Sequence, residues 1–175
     1  FCGKGRALAV VDPVMGDHGR PYRTYTPQMC RAMGELADRA DLLVVDDAST
    51  DRTAQIARER GCAVVTNVYN LGYGSGLQIG YKYAVKRGYD YVIQMDADGQ
   101  HDACNAELLY RQLVEGEGER PDIVLGSRFL EGSVSYPVSL LKRIAYVPFR
   151  LLIRLGSGKK IMDPTTGLQG LNRRA

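Results

Sequence analysis

The sequence predicts an α/β fold built on a mostly parallel sheet, and two observations carry this prediction. Short apolar runs with the length of buried strands recur along the 175-residue chain, and most of the gaps between them have the apolar periodicity of helices. Such alternation is typical of a parallel sheet covered by helices. With 45% hydrophobic and 25% charged residues, residues 1–175 are expected to form a single domain around one core.

Five strands are expected where apolar runs are bounded by turn residues. In a parallel sheet, the carboxyl ends of the strands meet at one edge, and open α/β sheets bind their ligands there. Polar residues that directly follow a strand are therefore the first candidates for a functional site. The predicted strands are residues 7–11, 42–45, 63–66, 91–95 and 123–125.

Four helices are expected between these strands. The first begins with Thr26 as N-cap and Pro27 at its first position, a pairing typical of a helix start. The second and third end at Gly61 and Gly88, because glycine readily adopts the left-handed conformation found just after a helix. Asn105 is the expected N-cap of the fourth. The predicted spans are 27–40, 53–60, 77–87 and 105–115.

A basic amphipathic segment at 137–160 follows these elements. From 132 to 162 the sequence has six Lys or Arg residues and no acidic residue, and apolar residues recur at helical spacing. Pro148 is expected to kink the helix. Two interpretations remain open: a helix that lies on a membrane surface, or a helix that packs on the domain's own core with solvated basic residues.

Overall charge and cysteine content argue against several classes of protein. A net charge of +3 is too small to indicate a nucleic-acid partner. The four cysteines are widely spaced and form no Cys-x-x-Cys motif, which indicates neither a disulfide framework nor a zinc site. The sequence contains no apolar run of eighteen residues and no signal-peptide pattern. We therefore expect a protein of the cytoplasm.

Two carboxylates one residue apart, Asp96 and Asp98, follow the predicted strand 91–95. Mg²⁺ and Mn²⁺ prefer oxygen ligands, and Mg²⁺ is typically held by one or two carboxylates together with substrate phosphates. The pair therefore predicts a metal and diphosphate site at the edge of the sheet. The alternative is an ordinary turn, since Asp and Gly are common after a strand.

A second pair, Asp46 and Asp47, follows the predicted strand 42–45 at the same edge. Four neighbouring carboxylates would repel one another, which favours a bound cation or the hydrogen-bond donors of a nucleoside. Residues 49–51 are the expected cap of the next helix. Both interpretations can hold, because a cap and a ligand contact use different residues.

A glycine-rich stretch, Asn70-Leu-Gly-Tyr-Gly-Ser-Gly76, lies between the strand 63–66 and the helix 77–87. Glycines allow a backbone to approach a ligand closely, and a helix N-terminus attracts phosphate. No Gly-Lys-Ser/Thr follows, so this is not a Walker loop. A plain turn is the alternative.

Five motifs occur in a fixed order along the chain. They are Asp-Asp-Ala-Ser-Thr-Asp at 46–51, Asn-Leu-Gly-Tyr-Gly at 70–74, Met-Asp-Ala-Asp-Gly-Gln-His at 95–101, Gly-Ser-Arg-Phe at 126–129 and Asp-Pro-Thr-Thr-Gly at 163–167. Together they closely resemble the family 2 glycosyltransferases, and within that family the dolichyl- or polyprenyl-phosphate sugar transferases. The resemblance covers roughly residues 42–175.

This resemblance implies a GT-A fold, truncated here at its C-terminus. It also implies an inverting sugar transfer from a UDP- or GDP-linked sugar to a polyprenyl phosphate at the cytoplasmic face of the membrane, with Mg²⁺ or Mn²⁺ as cofactor. Arg128 would contact phosphate through its fork of donors, and Asp163 would orient the acceptor or merely shape a turn. By motif, the implied residues are Asp46, Asp47, Asn70, Gly72 and Asp96 for the nucleotide sugar, Asp96, Asp98 and Gln100 for the metal, and Asp98, Arg128 and Asp163 for catalysis.

The first 41 residues depart from the family pattern. Members usually have Pro-x-Tyr-Asn-Glu after the first strand, whereas this chain has Val-Asp-Pro-Val-Met-Gly-Asp at 11–17. That stretch and the sequence through Leu42 resemble the interior of a pyridoxal kinase, so we expect a join of two unrelated pieces near Asp41. The foreign strand and helix can still complete the sheet. The alternative functions are an impaired nucleotide-sugar-binding chimera and a pyridoxal kinase-related fragment.

Overall fold

The computed structural model describes residues 7–12, 16–17, 20–21, 41–96, 104–115, 120–127, 140–159 and 161–175. The strands are β1 (Ala7–Asp12), β2 (Gly16–Asp17), β3 (Arg20–Pro21), β4 (Asp41–Asp46), β5 (Ala63–Thr66), β6 (Tyr91–Asp96), β7 (Ile123–Leu125) and β8 (Leu168–Asn172). The helices are α1 (Thr53–Glu59), α2 (Tyr73–Arg87), α3 (Cys104–Glu115) and α4 (Leu140–Ser157). Helix 27–40 of the sequence prediction lies outside the described residues.

Six strands form one mixed sheet in the order β5-β4-β1-β6-β8-β7. The first four of these run parallel, while β8 runs antiparallel to both β6 and β7. Strands β2 and β3 form a separate antiparallel pair. The predicted α/β class with a mostly parallel sheet is therefore confirmed, and each of the five predicted strands is present.

Strand β8 is the element of the main sheet that the sequence analysis missed. Its sequence, Leu-Gln-Gly-Leu-Asn, lacks the β-branched and aromatic residues that favour strands. Its position between β6 and β7 is set by the ladders on both sides. A Cβ on Gly170 would approach Leu113 Cδ1 to 2.9 Å, so the absent side chain makes room for α3 to pack on this strand.

The core consists of two apolar layers, one on each face of the sheet. Successive strand residues point to opposite faces, so Leu8 packs in the layer that includes Ala84 of α2, whereas Ala9 packs in the layer that includes Leu113 of α3. Both faces of the central strands are therefore apolar. Their sequences are continuous apolar runs for this reason.

Helix α2 begins at Tyr73, four residues before the predicted start at residue 77. Gly72 has a φ of 82°, and its carbonyl accepts the N–H groups of Ser75 and Gly76, both at 3.1 Å. The prediction that the loop extends through Gly76 was therefore wrong. Glycine costs about 1 kcal/mol relative to alanine in a helix, and packing of α2 on the sheet compensates for this weak propensity.

Helix α4 corresponds to the predicted amphipathic segment and contains Pro148 within its span. Several of its apolar side chains are more than half exposed, so they lie outside both core layers. Within the residues that the structure describes, no helix is both long and apolar enough to cross a membrane. The exposed apolar side chains include Val147, Leu151, Leu152 and Leu155.

Candidate functional site

Acidic residues from two strands meet at the carboxyl edge of the sheet. Asp46 is the last residue of β4 and Asp96 the last residue of β6, and β1 runs parallel between them. Neighbouring strands lie about 4.8 Å apart, so the backbones of these two residues are separated by roughly 10 Å, two strand spacings. Asp12, at the end of β1, pairs in register with Asp96. The sequence analysis did not select Asp12.

The turn after β4 holds Asp46 in a buried position. Only 1% of Asp46 is exposed, and its Oδ1 accepts the backbone N–H of Ser49 at 3.3 Å. Ala48 adopts a φ of 62°, in the left-handed region that residues with a Cβ rarely occupy. The chain bends at Ala48, immediately after the two acidic residues, and backbone strain of this kind is concentrated at functional sites.

Replacing Ala48 with glycine is expected to stabilise the domain. The left-handed conformation costs a residue with a Cβ about 1–2 kcal/mol, while the greater freedom of glycine in the unfolded chain offsets about 0.4–1 kcal/mol. We expect Ala48→Gly to raise the free energy of unfolding by about 0.5–1 kcal/mol, measured by urea denaturation. A lower stability than wild type would show that the turn does not carry this strain.

Asp47 holds the loop between β5 and α2. Its Oδ1 accepts the Asn67 side-chain amide and the Leu71 N–H, both at 2.8 Å, and its Oδ2 accepts the Gly72 N–H at 2.7 Å. Burial acts to raise the pKa of Asp47, but the bonds from Leu71, Asn67 and Gly72 outweigh it and hold the pKa below its ordinary value. Asp47 thus shapes the loop that contains Asn70 and Gly72, while a contact with the nucleoside stays a prediction.

The N-cap of α1 is Arg52, whose side chain makes no capping bond, so the cap predicted within residues 49–51 is wrong by one residue. Asp51, the preceding residue, supports the start of the helix. Its Oδ1 accepts the backbone N–H of Thr53 at 2.8 Å. Hydrogen bonds from the side chain and backbone of Thr53 lower the pKa of Asp51. The motif at 46–51 therefore combines one buried acid, one acid that holds a loop and one acid that bonds the first residue of a helix.

A chain of hydrogen bonds that the sequence analysis did not predict ends at Asp96. The Tyr73 hydroxyl donates to Asp96 Oδ1 at 3.0 Å and accepts from Gln94 Nε2 at 2.8 Å. Gln94 Oε1 in turn accepts the hydroxyl of Tyr81. The one sequence signal was Gln94, a polar residue inside an otherwise apolar strand that is 1% exposed in the structure.

The segment 163–167 reaches the same carboxylate from β8. The Asp96 N–H donates to the Gly167 carbonyl at 3.2 Å. A Cβ on Gly167 would overlap Asp96 Oδ2 and Cγ, so this contact requires glycine. Asp163 is 1% exposed and its Oδ1 accepts the Thr165 hydroxyl at 3.4 Å, beside a turn at residues 164–165. The structure therefore brings the last motif of the chain to the end of β6.

The described residues supply one carboxylate, that of Asp96, to the predicted metal site. Asp98, Gln100 and Arg128 lie outside the described residues. Within the part of the chain that the structure describes, no three His, Cys, Asp or Glu side chains cluster as a metal cage. An oxygen donor at an open sheet edge fits a hard cation shared with a diphosphate, which needs only one or two protein carboxylates.

Comparison with known proteins identifies the family of this chain. Residues 29–175 match the sequence profile described as Glycosyl transferase family 2. The chain belongs to this family. The match begins before Asp41, so it gives no support to a join between unrelated pieces at that position, and the resemblance to a pyridoxal kinase is unsupported.

Two relatives of this chain have names that mention a polyprenyl-type lipid. The chain is 36% identical to the undecaprenyl-phosphate mannosyltransferase of Micrococcus luteus, covering 77% of the chain and 57% of the relative. It is 30% identical to the polyprenol monophosphomannose synthase of Mycolicibacterium smegmatis, covering 86% of the chain and 58% of the relative. The chain thus spans less than two thirds of the length of either relative.

A solved structure confirms the fold. Glucosyl-3-phosphoglycerate synthase from Mycobacterium tuberculosis, crystallised with Mn²⁺, UDP-glucose and phosphoglyceric acid, aligns with a TM-score of 0.62 and 20% identity. The alignment covers 97% of this chain and 57% of that chain. The fold of this family 2 chain is therefore GT-A, as the sequence resemblance implied.

Proposed function

We propose that this chain is the catalytic domain of a metal-dependent, inverting glycosyltransferase that moves a sugar from a nucleotide-diphosphate sugar to a polyprenyl phosphate. The observation that carries the proposal is the convergence of Asp46, Asp96 and the segment 163–167 at one sheet edge. The acceptor class is supported by the names of the two bacterial relatives. UDP and GDP are both candidate nucleotides.

The donor would lie across the carboxyl edge of the sheet. Asp47, with Asn70 and Gly72 on the loop that it holds, would contact the nucleoside. Asp46, predicted as a second contact, is buried and would instead support the turn beneath the nucleoside. The metal, Mg²⁺ or Mn²⁺, would be held by Asp96 together with Asp98 and Gln100. When bound, such an ion stabilises negative charge on a departing diphosphate as a Lewis acid.

The acceptor would approach from the side of residues 163–167. A phosphate acceptor is already an anion, so it needs no strong general base. Arg128 suits its phosphate because a guanidinium presents a planar fork of donors. Asp163 is buried beside the turn at 164–165. It would fix the shape of the segment 163–167 and so orient the acceptor.

The basic segment 137–160 would bring the domain to its lipid substrate. Arg150 and Arg154 lie on α4 among apolar residues that are more than half exposed, such as Leu151 and Leu155. A helix with exposed apolar residues and basic charge is suited to an anionic membrane surface. This arrangement supports action at the cytoplasmic face of the membrane.

Thermal unfolding with Mn²⁺ and either UDP or GDP tests the nucleotide and metal site. A ligand at 100 times its Kd stabilises by about 2.7 kcal/mol, which for a domain of this size raises the Tm by roughly 5–10 °C. Asp96→Asn is expected to remove the Mn²⁺-dependent part of this shift. Asp90→Asn, just before the opposite end of β6, is the matched control and should retain it.

Transfer itself requires a second assay with nucleotide sugars, Mn²⁺ and a short polyprenyl phosphate. A glycolipid product supports the full proposal. Ligand stabilisation without product would favour a nucleotide-sugar-binding domain. The departure from the family motif at 11–17 is the sequence feature that supports this alternative. Absence of any nucleotide-dependent shift would contradict both.

A further inference from the structure

We infer that Tyr73 is a positioning residue, which orients the Asp96 carboxylate towards the metal and diphosphate while Gln94 and Tyr81 hold the Tyr73 hydroxyl in place. This inference rests on the proposed function of Asp96. The network joins the first turn of α2 to the last residues of β6, so it connects the glycine-rich loop with the predicted metal ligand.

The chemistry of Asp96 fixes the direction of every bond in this network. An ionised carboxylate only accepts hydrogen bonds, so the Tyr73 hydroxyl must donate to Asp96 Oδ1. The remaining acceptor site on the Tyr73 oxygen is then filled by the Gln94 amide N–H. Gln94 Oε1 consequently faces Tyr81, whose hydroxyl donates to it. The whole network is therefore polarised towards the carboxylate.

Core stability alone does not account for these residues. Gln94 lies between the buried residues Ile93 and Met95, at a position where an apolar residue would pack without the cost of burying an amide. Tyr73 is 48% exposed, so its ring contributes little to the core, yet its hydroxyl is fixed by two partners. A polar network of this kind rigidifies the group at its end, which here is Asp96.

Asp96 is held on two sides as a result. Tyr73 donates to Oδ1, while Gly167 packs so close to Oδ2 and Cγ that a Cβ at this position would overlap them. Partners that orient a metal ligand typically contribute 10–100-fold to metal affinity. We therefore expect Tyr73→Phe, which removes one hydroxyl, to weaken Mn²⁺ binding about tenfold.

The test measures Mn²⁺ affinity by the electron paramagnetic resonance signal of free Mn²⁺, with UDP or GDP present, and the Tm of each variant. Tyr81→Phe removes a hydrogen bond from Gln94 at the far end of the network but retains the bond between Tyr73 and Asp96. We expect both Tyr73→Phe and Tyr81→Phe to lower the Tm. The Mn²⁺ affinity of Tyr81→Phe, however, should stay within about twofold of wild type. Tyr83→Phe, on the same helix with Arg87 against its ring, should change neither quantity.

Equal Mn²⁺ affinity of Tyr73→Phe and wild type would overturn the positioning role and leave the proposed function intact. An equal loss of affinity in Tyr73→Phe and Tyr81→Phe would also overturn it, because the effect would then follow stability. If the wild-type chain binds no Mn²⁺ with either nucleotide, the proposed function and the positioning role both fail. A tenfold loss confined to Tyr73→Phe supports the inference.

Discussion

Gly167→Ala is expected to lower sugar transfer at least 100-fold. A Cβ at this position would overlap the Oδ2 and Cγ atoms of Asp96, so the carboxylate or the segment 163–167 must move by about 1 Å, and a misplacement of that size costs about 10² in rate. The φ of Gly167 lies outside the left-handed region, so the effect is steric. Initial rates of glycolipid formation measure it.

The same substitution should reduce stability far less than activity. Overpacking costs about 1–3 kcal/mol, or roughly 2–12 °C in Tm for a domain of this size, so the variant should still fold. Gly156→Ala, in α4, is the matched control for Tm and Mn²⁺ affinity because its Cβ would meet no atom within 4 Å. Wild-type rates and Mn²⁺ affinity in Gly167→Ala would contradict the close packing of Gly167 on Asp96.

The strands were predictable because each lies in a short apolar run bounded by turn residues. β6 is an example: both of its faces are covered by helices, and the apolar run stops where the sheet opens at Asp96. The position of the acidic residues at one edge followed from the parallel alternation alone. In contrast, the sequence of β8 has a low propensity for strands. This strand is held by its pairing with β6 and β7, and such pairing between distant residues is not encoded in the local sequence.

The contacts between distant residues were not predictable from patterns. Asp96 and Gly167 belong to different motifs of the sequence, and neither motif predicts that the two residues touch. Their contact depends on β8 running antiparallel to β6. The Tyr73 hydroxyl reaches Asp96 only because α2 begins four residues earlier than expected. Asp47 resembles a ligand residue in sequence, while its hydrogen bonds to residues 67–72 show that it also organises the loop.

Asp47→Asn is expected to destabilise the domain by about 2 kcal/mol, within the 1.5–3 kcal/mol typical of hydrogen bonds to charged groups. Three N–H donors converge on the two carboxylate oxygens of Asp47. An asparagine has one oxygen and one amide NH₂, so at least one donor from Asn67, Leu71 or Gly72 would face another N–H. Urea denaturation followed by circular dichroism at pH 7 measures this loss.

Asp51→Asn is the matched control for this substitution. The Asp51 carboxylate accepts one backbone N–H, that of Thr53, at the start of α1. Asparagine and aspartate both accept the N–H two residues on in a turn of this kind, so the stability of Asp51→Asn should stay close to that of wild type. Equal losses in Asp47→Asn and Asp51→Asn would show that the loop from 67 to 72 does not depend on the three converging donors.

The difference in the free energy of unfolding between wild type and Asp47→Asn should depend on pH. Because its hydrogen bonds hold the pKa of Asp47 below the unfolded value of about 3.9, the ionised group stabilises the fold above that value, and this contribution is lost as the pH falls through the folded pKa. The two stabilities should therefore converge below about pH 3.9. Asp47 accepts the N–H of Gly72, and the next residue, Tyr73, donates its hydroxyl to Asp96. Asp47→Asn should therefore also weaken Mn²⁺ binding at pH 7. A stability difference that stays constant into acid would contradict the role of the charge on Asp47.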